Sequence, residues 1–328
     1  MGKVRLKEIA RLSGVSISTV SRVVNEPDHV NSETREAVYG VMRELGYKPG
    51  YKASVSDKKG VLGVVTPQMY SEFAMDLILA LEEEISPHGI YPLLINSGEE
   101  RSLSVLLNRD SRWAGLVDMA VLVNMDVDER AFHYLQERNI HCAVVHSRCP
   151  YCFSVLNNNY LGGFDAAEYL WKKGYRRPGI IMWNNENNNI QEDRRTGFLK
   201  ALEGRGVRAD QIPQEYSRIS PAGGSACTER ILRDHDLDAL FFTSDTMAIG
   251  GLEYCRKQKI RIPEDIAVMG FDDIRMASTM NLTTMKQFIP AKAKTVVDHL
   301  IQCRDAVLPP EYPGEVTMTP VLVERQTT

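Results

Sequence analysis

From Gly60 onward, short apolar runs alternate with helical stretches for more than 200 residues. Val61–Val65, Tyr91–Ile95, Ala120–Val123 and Cys142–His146 read as strands, with helical patterns at Phe73–His88, Ser102–Arg112 and Asp128–Arg138 between them. Phe153-Ser154-Val155-Leu156 adds a strand. The rhythm resumes with helices at Phe164–Lys173, Arg194–Glu203, Glu229–Arg233 and Thr246–Lys257, and strands at Gly179–Met182, Ala239–Thr243 and Ile266–Gly270. Strands joined through helices pair in parallel, because the crossover returns the chain to the same end of the sheet. The expected body is therefore α/β, with parallel sheets covered by helices on both faces. Its length is better divided into two lobes than kept as one sheet. Ligands of such folds bind off the carboxyl ends of the strands, so a cleft between the lobes is the expected site.

The sixty residues before this run are different. They carry 11 Lys/Arg against 7 Asp/Glu, a net +4, whereas the rest of the 328-residue chain carries a net −8. A small basic segment on a large acidic body points to one end that meets a polyanion, although +4 also suits a solvated face. Leu6, Ile9, Ala10 and Leu12 recur at helical spacing, so 6–12 reads as a short amphipathic helix. Ser13-Gly14-Val15 supplies a turn. Ser16 is an expected N-cap, opening a second helix to Asn25 whose apolar positions are Ile17, Val20 and Val24. A third helix is expected from Ser32, read as its N-cap, to Leu45, with Gly46 ending it. Two short helices across a three-residue turn, closed by a third, make a helix-turn-helix unit. The second helix bears Ser18, Thr19, Ser21 and Arg22 and no acid. Hydroxyls reach phosphates, and an arginine can bond guanine through two hydrogen bonds. By spacing alone the segment also fits a plain three-helix cap.

The string Leu6-Lys7-Glu8-Ile9-Ala10-Arg11-Leu12-Ser13-Gly14-Val15-Ser16-Ile17-Ser18-Thr19-Val20-Ser21-Arg22-Val23-Val24-Asn25 closely resembles the DNA-binding head of the LacI/GalR repressor family. Its last seven residues are very specific to that family. Val30 through Arg35 and Glu44-Leu45-Gly46-Tyr47-Lys48-Pro49 continue the match. The resemblance implies that Ile17, Ser18 and Arg22 read bases, and that Thr19, Ser21 and Asn25 hold the DNA backbone. It implies a transcriptional regulator, a repressor, acting as a homodimer on a pseudo-palindromic double-stranded operator. The expected organisation is a head at 1–46, a hinge at 47–60 and an effector-binding and dimerisation body at 61–328. Family members carry a hinge helix with Ala-Arg-x-Leu, whose leucine wedges into the minor groove and bends the duplex. Here the aligned stretch is Ala53-Ser54-Val55-Ser56. Ala53 fits, while the arginine and leucine are missing. Either Val55 supplies the wedge from a shifted register, or the hinge helix is weak and bending is small; the Ser/Asp/Lys/Gly content of 54–60 suits a flexible linker.

The body resembles the family at lower density, as a periplasmic-binding-protein-like unit with lobes of about 61–157 plus 288–318 and 158–287 plus 319–328. The best strings are Gly174-Tyr175-Arg176-Arg177-Pro178-Gly179, Arg194-Arg195-Thr196-Gly197-Phe198, Ser244-Asp245-Thr246-Met247-Ala248 and Val268-Met269-Gly270-Phe271-Asp272-Asp273. The resemblance implies an effector, a sugar or sugar derivative, in the cleft. Arg194 falls where an arginine grips effector oxygens, as its fork can. Asp272 falls where an acid accepts from ligand hydroxyls. Phe73 and Ile219 fall at positions that are often aromatic, Ser244 ends a strand, and His146 stands where some relatives carry an acid. Trp183 ends another strand and can stack on a sugar face. Asp245 is the expected cap of the helix after Ser244. Plainer readings stand beside these: an interlobe Arg194–Asp272 ion pair, Phe73 and Ile219 as core, and Trp183 as a lid on the sheet. Asn157-Asn158-Asn159 and Val117-Asp118-Met119 depart from the family strings, which weakens transfer of any particular ligand.

Cys142, His146, Cys149 and Cys152 lie close together, and Cys149-Pro150-Tyr151-Cys152 copies a dithiol-oxidoreductase tetrapeptide. The spacing leaves a metal- or thiol-responsive regulator as an alternative. Against it, a redox dithiol needs a helix opening at its first cysteine, and here a strand follows. No metal ion or cofactor is expected. No phosphate loop, Gly-x-Ser-x-Gly elbow or His-Glu-x-x-His helix is found, so no catalytic residue is assigned and no enzyme is expected. No run is long enough to span a membrane and no apolar leader opens the chain, so a cytoplasmic protein with reduced thiols is expected.

Overall fold

The computed structural model describes residues 6–25, 30–45, 60–67, 69, 71–183, 189–305 and 313–328, and the chain divides into two compact units at 58/59. The hinge candidates Ala53 and Val55, and the side chain of Asn25, lie outside the described residues.

In the first unit, α1 (Leu6–Ser13), α2 (Ile17–Asn25) and α3 (Ser32–Glu44) close on a core of Ile9, Ala10, Val20, Val23, Val38 and Met42. Gly14 takes φ 69° in the turn between α1 and α2, a conformation that favours glycine. Ser16 caps α2, its Oγ accepting from the Thr19 N–H at 3.0 Å. Two expectations are corrected. The cap of α3 is Asn31, not Ser32: Asn31 Oδ1 accepts from Thr34 N–H at 2.8 Å, and the amide, one residue earlier, has the reach to the third free N–H. The buried face of α2 carries Val20 and Val23, while Ile17 is 44% exposed, because the core is set by where α3 docks and not by spacing on one helix.

The second unit contains two six-stranded sheets. β1 (Val61–Thr66), α4 (Glu72–Ile85), β2 (Tyr91–Asn96), α5 (Leu103–Arg109), β3 (Met119–Val123), α6 (Glu129–Gln136), β4 (His141–Val145) and β5 (Phe153–Asn157) build the first lobe. The chain then crosses to the second through α7 (Asn159–Lys173), β6 (Pro178–Trp183), α8 (Asn189–Glu203), β7 (Gln214–Ser217), α9 (Pro221–Asp234), β8 (Ala239–Phe242), α10 (Asp245–Gln258), β9 (Ala267–Asp272), α11 (Arg275–Thr279) and β10 (Thr283–Lys286). It returns with α12 (Ile289–Arg304) and β11 (Glu315–Met318) to the first lobe, and ends with β12 (Val321–Val323) on the second. The first sheet, ordered β11-β5-β4-β3-β1-β2, is parallel throughout; the second, β12-β10-β9-β8-β6-β7, is parallel except for β12. This is the two-lobed parallel α/β body expected from the alternation. Among the described residues no helix is long and apolar enough to cross a membrane.

The helices run further than their apolar patterns. α9 starts at Pro221, eight residues before the Glu229 expected, because Pro221-Ala222-Gly223-Gly224 opens it under a Ser220 cap: Ser220 Oγ accepts from Gly223 N–H at 2.9 Å. α7 and α8 cross so closely that a Cβ on Gly163 would lie 1.9 Å from the Arg194 carbonyl oxygen, and one on Gly197 would lie 1.9 Å from that of Tyr160. The close crossing brings Asn159 on α7 to Arg194 on α8. Gly163→Ala is therefore expected to force the helices apart and cost about 1–3 kcal/mol, read as a lower midpoint in urea unfolding.

Candidate functional site

The cleft is built from loops at the carboxyl ends of the strands in both sheets. Phe73 and His146 from the first lobe, with Trp183, Arg194, Ile219, Ser244 and Asp272 from the second, line one cavity. The structure thus brings together all seven side chains singled out for an effector.

Arg194 is held on every side by its own lobe. Its Nε donates to Asn159 Oδ1 at 3.0 Å, and its Nη1 donates to the Thr243 carbonyl at 2.5 Å and to Asp272 Oδ1 at 3.1 Å. The guanidinium carbon lies 3.7 Å from the centre of the Phe271 ring. The Arg194–Asp272 pair lies within the second lobe, which corrects the interlobe pair considered from sequence; both residues sit on elements of the β6–β9 half. Asp272 holds φ 131°, and Gln287 donates to it from the crossing after β10. Burial raises the Asp272 carboxyl, with Arg194 opposing that shift.

Asp245 does not cap α10, as its position suggested. The N-cap is Ser244, whose hydroxyl makes no capping bond. The Asp245 carboxyl turns inward, accepting from Ile274 N–H at 3.1 Å and from the Thr284 hydroxyl at 2.6 Å. Gly270 makes the space: a Cβ there would lie 2.1 Å from Asp245 Oδ1. Burial, aided by the Asp272 charge, pushes Asp245 up to about 8.

His146 adopts φ 67° and stacks on Phe73 at 4.5 Å. Burial, then the Lys292 and Arg194 charges, holds its imidazole well below the usual range, so it is neutral. Phe73 packs against the apolar clusters of both lobes, and Ile219 against that of the second, so core and cleft roles coincide. Two ion pairs span the cleft. Asp76 on α4 receives Arg275 Nε at 2.6 Å and its backbone N–H at 3.0 Å, and Glu99 lies 3.9 Å from Arg218. The space left inside is about 50 Å³, room for roughly three or four waters. A sugar-sized ligand does not fit that space without rearrangement of its lining.

Sequence reasoning missed several residues here. Asn124 and Gln191 line the cavity, and their Oδ1 and Oε1 atoms are buried without a hydrogen bond among the described residues. Gln287 joins Asn157, Asp272 and Lys292. Lys292 had a signal: it stands on α12 among Ile289, Ala293 and Val296, a charge on an apolar face.

The cysteines lie elsewhere. Cys142, Cys149 and Cys152 are buried among Trp113 and Leu135 in the first lobe, and all six cysteines are free. The Cys152 thiol bonded to Cys149 draws Cys149 down to about 6. His146 turns away from them to Phe73 and Lys292, β5 begins directly after Cys152, and among the described residues no three His, Cys, Asp or Glu side chains are placed to hold a metal.

On the head, Ile17, Ser18 and Arg22 are exposed along α2, Thr19 and Ser21 are half-buried, and Ser16 bonds to the hydroxyls of Ser18 and Thr19.

Residues 5–50 match the family described as bacterial regulatory proteins, lacI family, and residues 167–328 match a periplasmic binding protein-like domain. The chain is 28% identical over 335 residues to the HTH-type transcriptional repressor PurR of Escherichia coli, covering 98% of this chain and 96% of that protein. Among solved structures it is similar to a transcriptional regulator CelR–cellobiose complex (TM-score 0.69, 25% identity, 99% of this chain and 100% of that one). It is similar also to the Lac repressor bound to ONPG in the repressed state (TM-score 0.66, 25% identity, 100% of both).

Two outcomes follow from this electrostatic arrangement. Arg194→Ala leaves Asp272 buried without its counter-charge and should cost about 3–5 kcal/mol in chemical denaturation. Asp245 retains a proton when folded that the unfolded carboxyl releases near 3.9, so its contribution to stability is full below that value and is lost as pH rises towards 8. Asp245→Asn should remove this slope, and melting curves between about pH 5 and pH 8 should show the variant gaining on the parent as pH rises.

Proposed function

Because the chain belongs to the LacI/GalR family of DNA-binding transcriptional regulators, we propose that it is a cytoplasmic repressor that binds a pseudo-palindromic operator as a homodimer and is switched by a sugar or sugar derivative in the interlobe cleft. In this reading it has no catalytic role. The observation that carries the DNA side is α2, where Val20 and Val23 are buried and Ile17, Ser18 and Arg22 are free to meet base edges. Thr19, Ser21 and Asn25 fix the helix on the phosphates, and Ala53 and Val55 connect head to body at the hinge. The effector side rests on the convergence of Phe73, His146, Trp183, Arg194, Ile219, Ser244 and Asp272 on one cavity, and on the unpaired oxygens of Asn124 and Gln191, which suit ligand hydroxyls.

The effector acts by binding the DNA-competent and DNA-incompetent states with different affinity. The narrow cleft gives that difference a physical form, since a ligand larger than the present space favours a body whose lobes stand further apart. CelR was solved with cellobiose, which is consistent with a sugar-sized occupant.

The test is selection of genomic fragments by the purified chain at moderate salt, followed by sequencing. An enriched inverted repeat is expected; enrichment of nothing beyond salt-sensitive general binding would overturn the reading. Arg22→Ala should cost about 1–3 kcal/mol against the selected site and relax one base position. An equal loss on unrelated DNA would make Arg22 a phosphate contact instead.

A further inference from the structure

We propose that the effector carries a single ionised carboxylate, making it a sugar acid and not a neutral sugar, and that Lys292 receives that charge; this rests on the cleft being the effector site. Lys292 has no solvent exposure. Its Nζ lies 2.9 Å from Gln287 Oε1 and 2.9 Å from His146 Nε2, and 5.4 Å from the centre of the Phe73 ring. All three partners line the cavity, so the amine sits one side chain behind its wall. Among the described residues Lys292 forms no ion pair. The carboxylate in this cluster, Asp272, is already bonded to Arg194, and the next acid inward, Asp245, is spent on Ile274 and Thr284.

Burial, then the Arg194 charge, holds the Lys292 amine well below its ordinary range, and the one carboxylate in reach is already paired with Arg194. A buried charge without a counter-charge is costly, and an amide, a neutral imidazole and a ring face offset only part of that cost. Lys292 is also the fourth residue of the 16-residue α12, whose N-cap Phe288 offers no side-chain acceptor. The free N–H groups of that first turn add positive potential at the same place. One lysine brought to its charged form by an entering acid matches a carboxylate better than a phosphate monoester, which carries about −1.5 to −2. The unpaired oxygens of Asn124 and Gln191 ask for donors, so the complementary molecule has hydroxyls as well as one acid.

The test uses the full chain and matched probes: D-glucuronate, D-galacturonate and D-gluconate against D-glucose, D-galactose and D-glucitol, by thermal melting and calorimetric titration. At least one acid is expected to bind while its neutral counterpart does not at the same concentration. Lys292→Met should weaken that acid by roughly 30-fold or more, and the unliganded variant should melt no lower than the parent, because the substitution removes a buried amine that has no counter-charge. A neutral sugar binding as tightly as its acid, acid binding that survives Lys292→Met, or a lower melting point of the unliganded variant each overturns the proposal. Silence from all six probes overturns the sugar acid and leaves the cleft reading standing. Acid binding indifferent to substitution of both Lys292 and Arg194 would place the ligand outside the cleft and sink the site reading itself.

Discussion

Arg194 buried against Asp272 is the contact around which the second lobe's ligand face is arranged. A guanidinium out of water needs every donor placed, and the fold supplies Asn159 from α7, the Thr243 carbonyl from the end of β8, Asp272 from the end of β9 and the Phe271 ring beneath. These come from three different elements, so the arginine fixes their relative positions. The glycines at the α7–α8 crossing exist in the same geometry: only without side chains at 163 and 197 does α8 come close enough to α7 for Arg194 to meet Asn159. Behind Asp272, the inward carboxyl of Asp245 is held protonated, so the pair in front keeps a single negative charge.

Much of this was legible in the residues. Short apolar runs alternating with helical stretches foretold the parallel body, and the Thr19–Asn25 string pointed to the family. What escaped has physical causes. β10 reads as polar because Thr283 and Thr284 are buried with their hydroxyls bonded to Thr328 and Asp245, partners far away in sequence. α12 escaped because Lys292 and His299 interrupt its apolar face. Ile17 looked like core and is exposed, since one helix's periodicity cannot say which of two adjacent faces its neighbours will cover. Asp245 was expected as a cap and is a buried acid, because an aspartate suits either role and only the space left by Gly270 decides between them.

The first lobe contributes differently. Its share of the cleft wall includes Phe73 and His146, stacked on each other, and Asn124. Most of the polar lining thus comes from the second lobe, with Asn124 from the first and Lys292 one side chain behind the wall. Asp76 and Arg275 tie the two faces at the rim, where an exposed pair is worth only a modest amount. Phe73, shared by the cores of both lobes, opposes their separation more strongly, since parting them exposes an aromatic ring to water.

The return of the chain to the first lobe after β10 has a consequence for biogenesis. α12 supplies Ala293, Val296, Val297 and Leu300 to the first lobe's core, and β11 completes its sheet. Those residues leave the ribosome only after the second lobe's elements from α7 to β10 have emerged. Until then the nascent first lobe holds an open apolar trough against α4 and β4, a surface of the kind that chaperones hold and that aggregates when they do not. The head can fold as soon as it is made, whereas the first lobe can reach its native state only once α12 and β11 have followed.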